Sequence, residues 1–168
     1  ADFSRAKISW FQFNGADMSD AILRNAVFEC TNMKRVNLAG ADLTGANMGG
    51  IDLRKVNLTG ATMDKAFLNK TVMSDATVSG ASVQSLRSRN SNVRRVDFGQ
   101  AYGTGSMFFE NTKTKGSTLP RGFVNHYRDN SLIAQGDGWR LNYRNNGLDC
   151  VLTFDWRNGC PDPRTLGH

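Results

Sequence analysis

The sequence predicts an all-β solenoid, wound with four short sides to a coil and closed at its far end by a small capping region. Three observations carry the prediction. A five-residue beat runs from Ala1 to Glu110, a slower twenty-residue beat lies over it, and beyond Glu110 the sequence becomes irregular and turn-rich. Five residues match neither the helical period of about 3.6 nor the strand period of about 2. Each unit must therefore join a short extended piece to a turn.

With residues 3, 8, 13 and onward to 108 taken as central, 22 units follow one another without insertion or deletion. The central residue is Phe, Met, Leu, Ile or Val in all of them except at Ser88 and Gly103. Two residues earlier stands a small residue, most often Ala, as in Ala41 before Leu43 and Ala46 before Met48. Residues two apart share one face of an extended segment, so each small and large pair points inward together. Between them Asp or Asn recurs, at Asp17, Asn37, Asp42, Asn47, Asp52 and Asn57, and Gly often ends the unit, at Gly40, Gly45, Gly50 and Gly60. Those residue types turn a chain.

The number of sides comes from the slower beat. The small position is Ala at 1, 21, 41, 61, 81 and 101, whereas 11, 31, 51, 71 and 91 read Phe, Thr, Ile, Thr and Ser. Like residues segregate every twenty positions, which stacks four units in each coil.

Units such as "ADLTG" at 41–45 and "ANMGG" at 46–50 resemble the pentapeptide-repeat family. The resemblance implies a right-handed, four-sided β-helix over residues 1–110, about five and a half coils, forming a rod roughly 26 Å long at strand spacing. Departures from the pattern read as packing. Leu86 with Ser88 exchanges the large and small positions, Gly103 leaves a gap for Phe98 or Phe108 to fill, and "WFQF" at 10–13 widens and covers the first coil.

An open coil end exposes strand edges and core and needs a cap. Residues 111–168 are read as that cap. "WRLNY" and "LDCVLTFDW" alternate apolar and polar around the turn "RNNG", the pattern of a β-hairpin. A disulfide between Cys150 and Cys160 would pin its tail, contributing roughly 2 to 3 kcal/mol by chain entropy, with Cys30 as a free thiol or plain surface residue. The bridge implies an oxidising compartment, periplasmic or extracellular, and a cytoplasmic one if the two cysteines are reduced. A chain that starts inside the repeat at Ala1 also fits a removed signal peptide or a trimmed upstream segment.

Catalytic patterns are missing from the sequence. His126 and His168 are its two histidines, and "GQAYGTGS" at 99–106 has no lysine and continues the five-residue register, unlike a phosphate loop. Asp17, Asp42, Asp52 and Asp97 fall singly on separate sides, so no metal site is expected. Neither an enzyme nor a cofactor is predicted. No apolar run is long enough for a membrane span.

Charge is the informative feature. The chain carries 21 Lys and Arg against 15 Asp and Glu, a net +6. One side collects Lys34, Arg35, Arg54, Lys55, Arg94 and Arg95 in two columns twenty residues apart, and the adjoining side has no Lys or Arg at all. Stacked like charges oppose folding, so a basic ladder points either to a use or to a solvated face that merely prevents edge and side association. The reading is a non-enzymatic scaffold that docks another protein or complex of acidic character through this side, or an anionic polymer. Nucleic acid is disfavoured because no aromatic residue is interleaved on that side, and the oligomeric state stays open. The resemblance also implies an alternative, a DNA-mimicking protein that binds gyrase and protects it from quinolones. Such mimicry needs an acidic rod, whereas residues 1–110 hold 13 Lys and Arg against 10 Asp and Glu.

Overall fold

A computed structural model describes residues 1–119 and the two-residue strand Asn125–His126. The chain winds as a parallel β-coil. Its strands are β1 (Lys7–Ser9), β2 (Val27–Glu29), β3 (Phe67–Asn69), β4 (Arg87–Arg89), β5 (Phe108–Glu110) and β6 (Asn125–His126). Among the described residues all strand pairings are parallel, β1 with β2 and β3 through β6 in order. On the other sides single parallel bridges do the same work, for example Asp2 with Ile22, Gln12 with Asn32 and Asp17 with Asn37. Bridges twenty residues apart in each of four phases put four units in a coil.

The backbone is paired coil to coil. The N–H of Asp42 donates to the C=O of Ala21 at 2.9 Å, and that of Leu43 donates forward to Thr62 at 2.7 Å. In between, the N–H of Ala46 closes a turn on Leu43. The Asp or Asn before each central residue takes the N–H two residues on, as Asp17 from Ser19, Asn37 from Ala39, Asp42 from Thr44 and Asn57 from Thr59. This side-chain turn is why Asp and Asn recur there. Left-handed backbone recurs on the five-residue beat, and most of the residues that adopt it are not glycine.

The inward pairs form one continuous core, in which Ala41, Leu43, Ala46, Met48, Leu53 and Leu58 are fully buried. Each such Leu contributes about 1.5–3 kcal/mol by leaving water. Leu86 and Ser88 are both fully buried, as the exchanged pair predicts, and the Ser88 hydroxyl lies 3.2 Å from that of Thr112. At the first coil, Phe11 stacks on Phe13 with centroids 5.6 Å apart, yet Phe11 remains 59% exposed.

The column without Ala has a physical reason. Thr31, Thr71, Ser91 and Thr112 follow β2, β3, β4 and β5, and all four are fully buried. Thr71 Oγ1 donates to the C=O of Met48 at 2.5 Å, with Asn69 C=O at 3.4 Å, and Thr112 Oγ1 to Ser88 and Glu110 at 3.1 and 3.2 Å. Thr31 and Ser91 bond the corresponding carbonyls, Ile8 with Glu29 and Leu68 with Arg89. The hydroxyl thus satisfies carbonyls where a strand ends. Ile51 breaks the column, and the unit before it, ending in Gly49 and Gly50, turns instead of forming a strand.

Two expectations are corrected near residue 103. The beat is not unbroken to 108: a 3-10 turn, Thr104–Ser106, adds one residue, so Arg87 pairs with Phe108 and Asn92 with Lys113, twenty-one positions on. Met107 and Phe109 therefore face inward, and Phe108 does not. Phe109, not Phe108, packs edge-on against Phe98 at 5.8 Å. Gly103 takes φ 70, and a Cβ there would meet the Gln84 backbone at 3.0 Å, so glycine is required at that point of "GQAYGTGS". Nor does coiling stop at Glu110. Thr112 and Thr114 are buried and Thr118 bridges to Asp97 in the shifted frame, so the expected boundary between 110 and 111 falls within the coil. The hairpin, Cys150, Cys160 and the rest of residues 127–168 lie outside the described residues.

Candidate docking surface

Successive coils define the basic side: residues 11–15, 31–35, 51–55, 71–75 and 91–95, then 112–116 in the shifted frame. The coil brings Lys34, Arg35, Arg54, Lys55, Arg94 and Arg95 onto this one side, as the twenty-residue register requires. It adds Lys113, which is buried, and Lys115, which is exposed. Counting in units of five from the start already puts both on this side but one position out within the unit, with Lys113 central and Lys115 at the corner, because the extra residue at 104–106 lies between. The irregular "GTGS" was the available signal.

This side carries two carboxylates, Asp52 and Asp75, and each is already held. Arg54 grips Asp52 through Nε, 2.9 Å from both oxygens, and through Nη2 at 2.5 Å from Oδ2, while the Arg54 backbone N–H donates to Oδ1 at 3.0 Å. Asp52 is only 1% exposed. These hydrogen bonds raise the Arg54 guanidinium above its ordinary pKa. Arg95 reaches one coil down to Asp75, Nε to Oδ1 at 2.5 Å and Nη2 to Oδ2 at 2.7 Å. That pairing, helped by Lys55, holds the Asp75 carboxyl below its ordinary range.

The remaining cations differ in accessibility. Arg35, Lys55 and Lys115 are exposed and Lys34 half-buried, and among the described residues none of them forms an ion pair. Arg94 is half-buried, its Nε shielded from solvent with no acceptor among the described residues. With Asp52 and Asp75 committed to Arg54 and Arg95, Lys34, Arg35, Arg94 and Lys115 are left, among the described residues, without a carboxylate on their side, and Lys55 shares the field of Asp75 without pairing to it. The adjoining side presents Asp17, Asp20 and Asp97 with no Lys or Arg.

The corners sharpen this asymmetry. At the end of the adjoining side the left-handed residue is glycine in Gly40, Gly60 and Gly80, at φ 66 to 68. At the end of the basic side the same conformation is held by Arg35, Lys55, Asp75 and Arg95, at φ 54 to 60. A side chain in that region costs roughly 1–2 kcal/mol that glycine avoids. The basic corner accepts this strain at each of those positions.

Cys30 ends the unit next to the basic side, at φ 50, and is disulfide-bonded, which corrects the free thiol expected there. The chain has three cysteines, so a bond from Cys30 to Cys150 or Cys160 and a Cys150 to Cys160 bridge exclude each other. Among the described residues no group of three His, Cys, Asp or Glu could hold a metal ion, and no helix is long and apolar enough to cross a membrane.

Residues 1–38 and 37–75 match the family described as Pentapeptide repeats, in 8 copies. No curated protein matches the chain. Among solved structures, the pentapeptide repeat protein Rfr23 from the cyanobacterium Cyanothece 51142 is similar at 16% identity, over 71% of this chain and 84% of that one, with a TM-score of 0.46. HetL, involved in heterocyst differentiation regulation in Nostoc sp. strain PCC 7120, is similar at 22% identity over 79% and 74%, with a TM-score of 0.32. A trypsin-treated form of QnrB1, a plasmid-mediated fluoroquinolone resistance protein, is similar at 15% identity over 71% and 77%, with a TM-score of 0.40. The pentapeptide repeats matched over residues 1–75 make up the first part of the parallel coil, whose bridges run on to Thr118.

Proposed function

We propose that this protein is a non-enzymatic docking scaffold whose basic side receives an acidic partner, a protein or complex first and an anionic polymer second. The observation that carries the reading is the uncompensated charge of that side, beside a side with no cation at all. A DNA mimic would need the opposite charge: residues 1–119 hold 15 Lys and Arg against 10 Asp and Glu.

The test separates position from net charge. Immobilised poly-glutamate is the probe, and the variant Lys34→Glu, Arg35→Glu, Lys55→Glu is compared with Arg5→Glu, Lys7→Glu, Arg24→Glu. Retention lost by the first and kept by the second supports the reading. Equal loss in both would reduce it to overall charge and refute a docking side.

The proposal includes an oxidising compartment, periplasmic or extracellular, and the disulfide at Cys30 supports it. Thiol titration of protein purified from its own compartment, denatured but unreduced, should find one free thiol. Three would rule the compartment out.

A further inference from the structure

Around the corner from the basic side, the side containing β3, β4 and β5 carries an aromatic and guanidinium column. Phe67 pairs with Arg87 and Arg87 with Phe108 in direct register, so the three stack at about 4.8 Å intervals. The Arg87 guanidinium lies 5.9 Å over the Phe67 ring, and that of Arg89 lies 5.9 Å over Phe108. Phe67 is 37% exposed on the outer face of the coil, with no part in the core. Lys65 and Lys70 occupy the two corners of the same coil, both in left-handed conformation at φ 59 and 55. On the upper part of this side, among the described residues, the one carboxylate is Glu110, held by Arg89 at 2.8 Å. Lys70 leads directly onto the basic side.

We infer that these two sides together bind single-stranded nucleic acid, bases stacking on the Phe67, Arg87 and Phe108 column and phosphates lying along Lys65, Lys70 and the basic side. The inference rests on the docking reading and takes the second of its partner classes, an anionic polymer, over the first. It also revises the expectation from sequence that nucleic acid is disfavoured: the basic side has aromatics only at its first coil, Phe11 and Phe13, but one side over they are interleaved with arginine. Three partners use such a surface differently. An acidic protein needs cations and gains little from aromatic rings. A duplex offers phosphates but hides its base faces. A single strand uses both, since base stacking on aromatic rings and guanidinium planes adds to phosphate contacts.

The experiment is fluorescence anisotropy of the intact chain at low salt with three labelled probes: oligo(dT) of about 20 nucleotides, a hairpin duplex of equal charge, and poly-glutamate of equal charge. Oligo(dT) is expected to bind at least about tenfold tighter than either other probe, stacking being the difference. Phe67→Ala should weaken it about five- to a hundredfold, and Phe67→Tyr should restore it. Arg87→Ala should also lower the slope of log K against log salt by about 0.7. Far-UV circular dichroism checks that these surface variants stay folded. Equal binding of oligo(dT) and either other probe, or indifference to Phe67→Ala, overturns the nucleic-acid inference while leaving basic-side docking standing. Failure of all three probes to bind the wild type overturns both.

Discussion

Replacing Arg35 and Lys55 with glycine should make this protein more stable and a weaker binder at once. Both residues hold φ near 60 at the corner of the basic side, where a side chain costs roughly 1–2 kcal/mol relative to a relaxed conformation. Glycine removes that strain but returns about 0.5–1 kcal/mol through the greater freedom of the unfolded chain. The net is about 0.5 kcal/mol per site by that difference. The two residues occupy one column in successive coils, about 4.8 Å apart along the stack, so loss of their mutual repulsion adds a few tenths more. The double variant should gain about 1 kcal/mol, read as a rise in Tm of about 2–4 °C for a domain of this size. Urea unfolding followed by circular dichroism measures the free energy, and retention on poly-glutamate measures binding. A double variant that is destabilised would show that Arg35 and Lys55 are held in place by contacts of their own. The strain assigned to those two corners would then be refuted.

Leu43→Ala, in the middle of the coil, should cost about 2–5 kcal/mol in urea unfolding, and a cost below about 1 would mean the core collapses around the cavity. Thr71→Val keeps the shape but strips the donor from the Met48 and Asn69 carbonyls, costing about 1–3 kcal/mol; an unchanged midpoint would refute the strand-end role of the hydroxyl. Arg54→Ala leaves the buried Asp52 carboxylate with its backbone donor alone and should cost about 1–3 kcal/mol, whereas Lys55→Ala next to it should change stability by less than about 0.5. For Asp75 the folded pKa is depressed by Arg95. Its contribution is therefore complete above the unfolded value near 3.8 and disappears as pH falls through the lower folded value. Comparing wild type with Asp75→Asn, the stability gap should be small at about pH 7, since the pair is largely exposed, and should close below about pH 3.8. A gap that widened in acid would reverse the assigned direction.

The coil was legible because its constraint is local and periodic. Each circuit must turn four corners and each unit must hide two side chains, so Ala41 with Leu43 or Ala46 with Met48 announces the winding within five residues. The column of Thr31, Thr71, Ser91 and Thr112 was visible as a lack of Ala, but its reason was not. Hydroxyls at those positions bond carbonyls twenty-three or twenty-four residues back and two residues back, and only the wound chain brings the first of these near. The extra residue at Thr104–Ser106 was hidden because the shifted frame also places apolar residues at plausible positions. Phe108 and Phe109 are adjacent, and either reading puts a phenylalanine inside. Packing against Phe98 selects the second.

The candidate site divides along the same line. Which cations share a side follows from counting by twenty, and the coil keeps all six together until the count slips at residue 104. What each cation is free to do cannot be counted. Arg54 and Arg95 look like Lys55 in the sequence, yet one is committed to a buried carboxylate within its own unit and the other to Asp75 a full coil away. The ladder is therefore less uniform than its columns imply: two guanidinium groups hold the side together, Arg94 lies half-buried, and Lys34, Arg35, Lys55 and Lys115 are left to meet a partner. A ladder built to bind would place its uncompensated charges at the exposed corner, where Arg35 and Lys55 stand.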